Sequence, residues 1–118
     1  MKVSIEKAGK GHLRAIQNLN LLLFKKEKKD YDNVLNLNWT FGKEGTKYFK
    51  EKITKPSSCT LLALANGKVV GYLAGGLVKE KWYDVKSAEL ENMFVLKDYR
   101  KMGIGLKLYA AFKKWCRL

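Results

Sequence analysis

Cysteine, proline and histidine are nearly absent from this sequence: two, one and one among 118 residues. Cys59 and Cys116 are too few and too far apart for a disulfide framework or a four-ligand zinc site. No bound metal is therefore expected, and a reducing, cytoplasmic setting is. No window approaches the roughly 18 consecutive apolar residues of a transmembrane helix, so no membrane partner is expected. The first residues, Met1 to Lys7, also lack the apolar stretch of a secretory signal. Negative charge is scarce too, with 11 Asp+Glu against 24 Lys+Arg and a net charge of +13. Arginine is confined to Arg14, Arg100 and Arg117.

A basic chain favours acidic partners, nucleic acid among them. Here the charge is almost all lysine, a poorer tool than arginine for bidentate base or phosphate recognition. The lysines are also spread along the whole chain, which reads as a solvated surface rather than a nucleic-acid face. Apolar residues make up 47 % of the chain and aromatics 12 %, enough for a real core. The length suits one domain over residues 1–118.

Alternation at Val3 and Ile5 predicts a short first strand over Val3 to Lys7. Leu13, Ile16, Leu19, Leu22 and Leu23 share a helical face, and this helix should fray in the lysine run before Asp30. Tyr31 to Trp39 has no clean period and reads as loop. A second helix is expected over Thr46 to Lys55, with Tyr48, Phe49 and Ile53 inward and Pro56 stopping it. Cys59 to Ala65 and Val69 to Val78 flank Asn66-Gly67, a strong hairpin signal. Gly75-Gly76 suggests a bulge or bend. A further strand should run from Ser87 to Leu96, entered through a polar turn near Tyr83-Asp84. A final helix over Gly105 to Arg117 should bury Leu106, Leu108, Tyr109, Phe112 and Trp115. The order β–α–α–β–β–β–α predicts an α/β (mixed α+β) domain with a largely antiparallel sheet flanked by helices.

The most informative stretch is the strand through Met93-Phe94-Val95, the turn Arg100-Lys101-Met102-Gly103-Ile104-Gly105, and the helix that follows. Unpaired N–H groups and the dipole at a helix start favour an anion, and glycines let it approach the backbone. Arg100 and Lys101 add charge, so the turn suits a diphosphate. The phosphate-binding loop pattern fails because no Gly-Lys-Ser/Thr occurs. The dinucleotide fingerprint fails because Leu108 stands where a third small residue is needed. What remains is R-x-x-G-x-G at Arg100, Gly103 and Gly105. It resembles the pyrophosphate-binding motif of the GNAT N-acetyltransferase superfamily, and the resemblance extends to the order of elements along most of the chain.

The resemblance implies an enzyme that moves acetyl from acetyl-CoA to a primary amine by direct attack. Met93, Phe94 and Val95 would line the pantetheine arm. Lys101, Met102, Gly103, Ile104 and Gly105 would supply amides to the pyrophosphate, with Arg100 beside them. A base must deprotonate the amine. Glu89, eleven residues before Arg100 where some members of the superfamily carry a glutamate, is the first candidate and Glu91 the second. Alternation places both on one strand face with Met93 and Val95. Each could instead be a surface carboxylate paired with a lysine. His12 reads as structural and Cys59 as a small buried hydrophobe. Trp39, Tyr31 and Phe41 could line an acceptor pocket or pack in the core.

Members of the superfamily usually continue past this helix with another strand, a helix often carrying a catalytic tyrosine, and final strands. The sequence closes at Leu118, so the strand at 87–96 is expected as an open sheet edge. Pairing of two such edges would make a homo-oligomer. Two other readings share these residues: a non-catalytic CoA-binding or interaction module of the same fold, and a small basic nucleic-acid-binding protein.

Overall fold

The computed structural model describes residues 1–79 and 86–117, and the turn expected near Tyr83-Asp84 lies outside them. Strand β1 (Val3–Lys7) leads through a short 3-10 turn into helices α1 (Leu13–Asp30) and α2 (Lys43–Thr54). Strands β2 (Ser58–Ala65), β3 (Lys68–Lys79) and β4 (Lys86–Val95) follow, and helix α3 (Ile104–Cys116) comes last. Among the described residues four strands pair antiparallel throughout in the order β1-β2-β3-β4, which places β4 at one edge of that sheet. This is the expected mixed α/β architecture.

The continuous apolar runs on β2 and β3 have a simple cause: both faces of the sheet are covered. On one face Leu61, Ala63, Val70 and Leu73 pack against Ile104, Leu108 and Phe112 of α3. On the other Leu62, Tyr72, Ala74 and Phe94 pack against Ile16 and Leu19 of α1 and Phe49 of α2. Asn66 and Gly67 both have positive φ, 50° and 84°, as the two-residue β2–β3 turn requires.

Several expectations need correction. Helix α1 does not fray in its lysine run but continues to Asp30. Its last turn is braced by Lys28 Nζ donating to the Leu35 carbonyl at 3.0 Å, and cations suit a helix C-terminus. Leu22 is 43 % exposed, and the inward face of α1 instead carries the buried polar pair Gln17 and Asn20. In α3, Leu106 and Tyr109 are 75 % and 46 % exposed. The buried stripe runs through Ile104, Leu108 and Phe112 at a spacing of four, because the helix starts one residue earlier than expected and is seated by Ile104.

Gly75 does mark an irregularity, but the extra residue belongs to β4. Ala74 pairs with Asn92 and Gly75 with Leu90, so Glu91 is bulged out of register. A side chain at position 75 would stand 2.9 Å from the Phe112 ring and 2.5 Å from the Glu89 carbonyl oxygen, so only glycine lets α3 seat there.

Candidate functional site

The bulge at Glu91 organises the site. It breaks the alternation that would have kept Glu89, Glu91, Met93 and Val95 on one face. Met93, Val95 and Leu90 pack with the α3 layer, whereas Glu91 and Asn92 bond to α2 and to Tyr72 on the opposite face. The two glutamates are thereby separated from the hydrophobic stripe of their own strand.

Beyond β4 the chain turns sharply. Arg100 is tied back by its Nε–H, which donates to the Val95 carbonyl at 2.8 Å, and its guanidinium lies 5.0 Å from the Phe94 ring centroid. Lys101 and Gly103 both adopt left-handed backbone, φ 64° and 76°, and Gly103 caps α3. The first N–H groups of α3 have no intrahelical carbonyl partner. Around this turn lies a cavity of about 520 Å³. Its walls are Met93, Phe94 and Val95 from β4, the run of Arg100, Lys101, Gly103, Ile104 and Gly105, and Leu23 with Lys26 from α1. Met102 alone among the expected turn residues is not a wall and is 51 % exposed.

A second cavity, about 420 Å³, adjoins the first and shares Leu23 and Met93 with it. Glu27 and Phe24 of α1, Trp39, Tyr48, and Glu89, Glu91 and Asn92 of β4 line it. Of the aromatics considered as acceptor-pocket walls, only Trp39 lines this cavity; Tyr31 is 83 % exposed, and Phe41 borders a separate surface hollow beside α2. Glu91 has both carboxylate oxygens engaged: Tyr48 Oη donates to Oε1 at 2.8 Å, and Lys52 Nζ pairs with Oε2. Glu89 is exposed and forms no ion pair with any described residue.

Behind Glu91 runs a chain of side-chain hydrogen bonds with every donor pointing toward it. Thr40 Oγ1 donates to Asn20 Oδ1 (2.7 Å), and Asn20 Nδ2 donates to Tyr72 Oη (3.1 Å). Tyr72 Oη donates to Asn92 Oδ1, Asn92 Nδ2 donates to Tyr48 Oη (3.0 Å), and Tyr48 closes on Glu91. Burial, followed by the Glu91 carboxylate, pushes the Tyr48 phenol above its ordinary range, and burial does the same to Tyr72. Both therefore stay hydroxyl donors. Sequence reasoning missed Leu23, Lys26, Tyr48 and Asn92. The one available signal was polar Gln17 and Asn20 in the apolar stripe of α1, since a buried amide demands partners.

The remaining candidates resolve into structure. His12 Nδ1 accepts a hydrogen bond from the Gly9 N–H at 2.9 Å, closing the turn before α1. Cys59 is 1 % exposed, and burial pushes its thiol up to about 11. Among the described residues no group of three or more His, Cys, Asp or Glu could hold a metal ion, and no helix is long and apolar enough to cross a membrane.

The sequence matches no curated protein. Solved structures share the fold at low identity. A possible acetyltransferase from Clostridium difficile 630 is 19 % identical, with 99 % of this chain and 72 % of that one covered at a TM-score of 0.74. AAC(6′)-Iy, solved with the bisubstrate analogue CoA-S-monomethyl-acetylneamine, is 19 % identical over 99 % and 73 %, TM-score 0.71. The aminoglycoside antibiotic 6′-N-acetyltransferase AAC(6′)-Ih from Acinetobacter baumannii is 22 % identical over 97 % and 71 %, TM-score 0.72. The sequence profile of the Acetyltransferase (GNAT) family matches residues 18–118, the span that carries both cavities, the bulged strand and the glycine turn. On that match the chain belongs to the GNAT acetyltransferase family, and acetyl transfer is its chemistry.

Proposed function

We infer that the chain binds acetyl-CoA in the cavity beside the glycine turn and acetylates a primary amine held in the adjoining cavity, with Glu89 as the base. The carrying observation is that the two cavities meet at Leu23 and Met93. The first cavity fits the cosubstrate in character: Lys26, Arg100 and Lys101 offer positive charge at one part, and Leu23, Met93, Phe94, Val95 and Ile104 offer apolar wall at another. Gly103 and Gly105 leave open space: a Cβ at Gly103 would meet nothing within 4 Å, and one at Gly105 only the end of Met93. When bound, acetyl-CoA supplies the thioester, whose acyl group passes to the amine nitrogen while the CoA sulfur leaves.

The residues of the chain do the rest. Amides at Lys101 to Gly105, Met102 among them, and the α3 N-terminus hold the diphosphate. The open edge of β4 at Met93 to Val95 accepts the extended pantetheine arm in the manner of an added strand. Glu89 takes the amine proton, because its carboxylate is unencumbered by described partners, while the Glu91 oxygens are occupied by Tyr48 and Lys52. Glu91, its charge already paired with Lys52, keeps a free lone pair on each oxygen and thus serves as a fixed acceptor for an incoming ammonium group. The aminoglycoside acetyltransferases among the structural neighbours support a small-molecule amine as acceptor.

Calorimetric titration with acetyl-CoA, with Gly103→Glu as control, followed by a screen of primary amines, tests this reading. Saturable binding abolished by the substitution, together with acetylation of an amine, supports it. Binding without any turnover would leave a CoA-binding module of the same fold, and no binding would defeat the assignment of the cleft. The part of the β4 edge before Met93, which the pantetheine arm leaves open, also favours pairing with a second copy; sedimentation should then show a dimer, and a monodisperse monomer would reject it.

A further inference from the structure

The geometry points to Asn92 as a positioning residue: it holds the Tyr48 hydroxyl, and through it fixes the Glu91 carboxylate where the acceptor ammonium arrives. This inference rests on the acceptor reading of the second cavity. Glu91 is the bulged residue of β4, so no ladder pairing fixes its backbone against β3. Its orientation must come from side chains. Lys52 supplies one contact, but a lysine on a flexible stem defines direction poorly. Tyr48 supplies the other, and a tyrosine hydroxyl can rotate between acceptors. Asn92 removes that freedom. Its Nδ2 donates to Tyr48 Oη at 3.0 Å, which leaves the Tyr48 proton directed at Glu91 Oε1 at 2.8 Å.

Asn92 is itself oriented. Its Oδ1 accepts from Tyr72, whose ring is wholly buried between the sheet and the helices, so the amide cannot flip without stranding that hydroxyl. Tyr72 in turn accepts from Asn20, 1 % exposed, so the order of donors is set from the interior outward. Hydrogen bonds linked head to tail polarise one another, and here the line ends on an anion. Asn92 and Tyr48 both border the second cavity, so the last links stand at its wall.

The test is steady-state kinetics of wild type, Tyr48→Phe, Asn92→Leu, the double variant and Glu91→Gln, with acetyl-CoA and an amine found by the screen. Tyr48→Phe removes one hydroxyl and keeps the ring packing, so it reports even if Asn92→Leu folds poorly. Each single variant should raise the acceptor KM about tenfold, as expected for one hydrogen bond to a charged group, with kcat and the acetyl-CoA KM within about twofold. The double variant should be no worse than Asn92→Leu alone, because both act through Glu91. A merely structural role would shift the acetyl-CoA KM equally and make the two losses add. Turnover with an unchanged acceptor KM in Tyr48→Phe, or in Glu91→Gln, overturns the proposal while acetyl transfer stands. Absence of turnover with every amine overturns the acceptor reading itself, and the proposal with it.

Discussion

Arg100 reaches back across the turn to the last residue of β4, its Nε–H bonded to the Val95 carbonyl at 2.8 Å. The guanidinium therefore does two tasks: it locks the end of the strand that borders the cleft, and it presents charge beside the glycine turn. Lysine keeps the charge but cannot reproduce a donor at the ε position or the guanidinium placed over the Phe94 ring. Arg100→Lys is expected to weaken acetyl-CoA binding about fivefold to tenfold, in line with one lost hydrogen bond from a charged donor. Calorimetry reads it. An affinity equal to wild type would show that charge alone matters at this position.

Gly103 sits at φ 76°, and a Cβ there would meet nothing within 4 Å. Space is therefore no obstacle to a side chain, and backbone conformation is. Gly103→Ala should cost roughly 1 kcal/mol of stability, the penalty of a left-handed L-residue. Urea unfolding measures this. Because the left-handed cap aims the first amides of α3, acetyl-CoA affinity should fall alongside stability. A stable variant with intact affinity would mean that the turn does not depend on this cap.

Arg100, Gly103 and Gly105 are legible in the bare sequence because their constraints are local: a strand end, a positive φ and a helix start leave marks within a few positions. The hairpin at Asn66-Gly67 is legible for the same reason. The bulge at Glu91 is not, since its cause lies across the sheet, in Gly75 and the Phe112 ring that occupies the missing side chain's space. Once that single residue slips, the face assignment of Met93 and Val95 reverses relative to Glu89 and Glu91. Leu23 and Lys26 leave no trace because no local pattern links α1 to a cleft some 70 residues later in the chain; tertiary packing alone brings them together. Tyr48 reads from its spacing as core, and its hydroxyl gains meaning only with Asn92 and Glu91 in place.

The two glutamates make separable predictions. Glu89→Gln removes the carboxylate assigned as base and should lower kcat by about 10²-fold to 10⁴-fold near neutral pH, leaving acetyl-CoA affinity intact. The loss should shrink at high pH, where the amine is deprotonated in solution. Glu91→Gln should act chiefly on the acceptor KM. If the pattern is reversed, with Glu91→Gln abolishing turnover and Glu89→Gln silent, the roles must be exchanged.

Cys59 offers a test of the core that is independent of catalysis. It lies against α3, and burial there pushes its thiol up from the ordinary 9.0 to about 11, with Lys7 opposing. A raised value means that the folded state holds the proton more tightly than the unfolded one. Stability from this group is thus fully present below pH 9 and is lost as pH climbs from 9 through 11. The full loss amounts to roughly 2–3 kcal/mol. Lysine deprotonation in the same range affects all variants alike, so the informative quantity is the difference between wild type and Cys59→Ala in urea unfolding at a series of pH values. That difference should be constant up to about pH 8 and then decline, because alanine packs in the same apolar pocket and has no proton to lose. A difference independent of pH would mean that water reaches the thiol and that the layer between β2 and α3 is looser than its packing indicates.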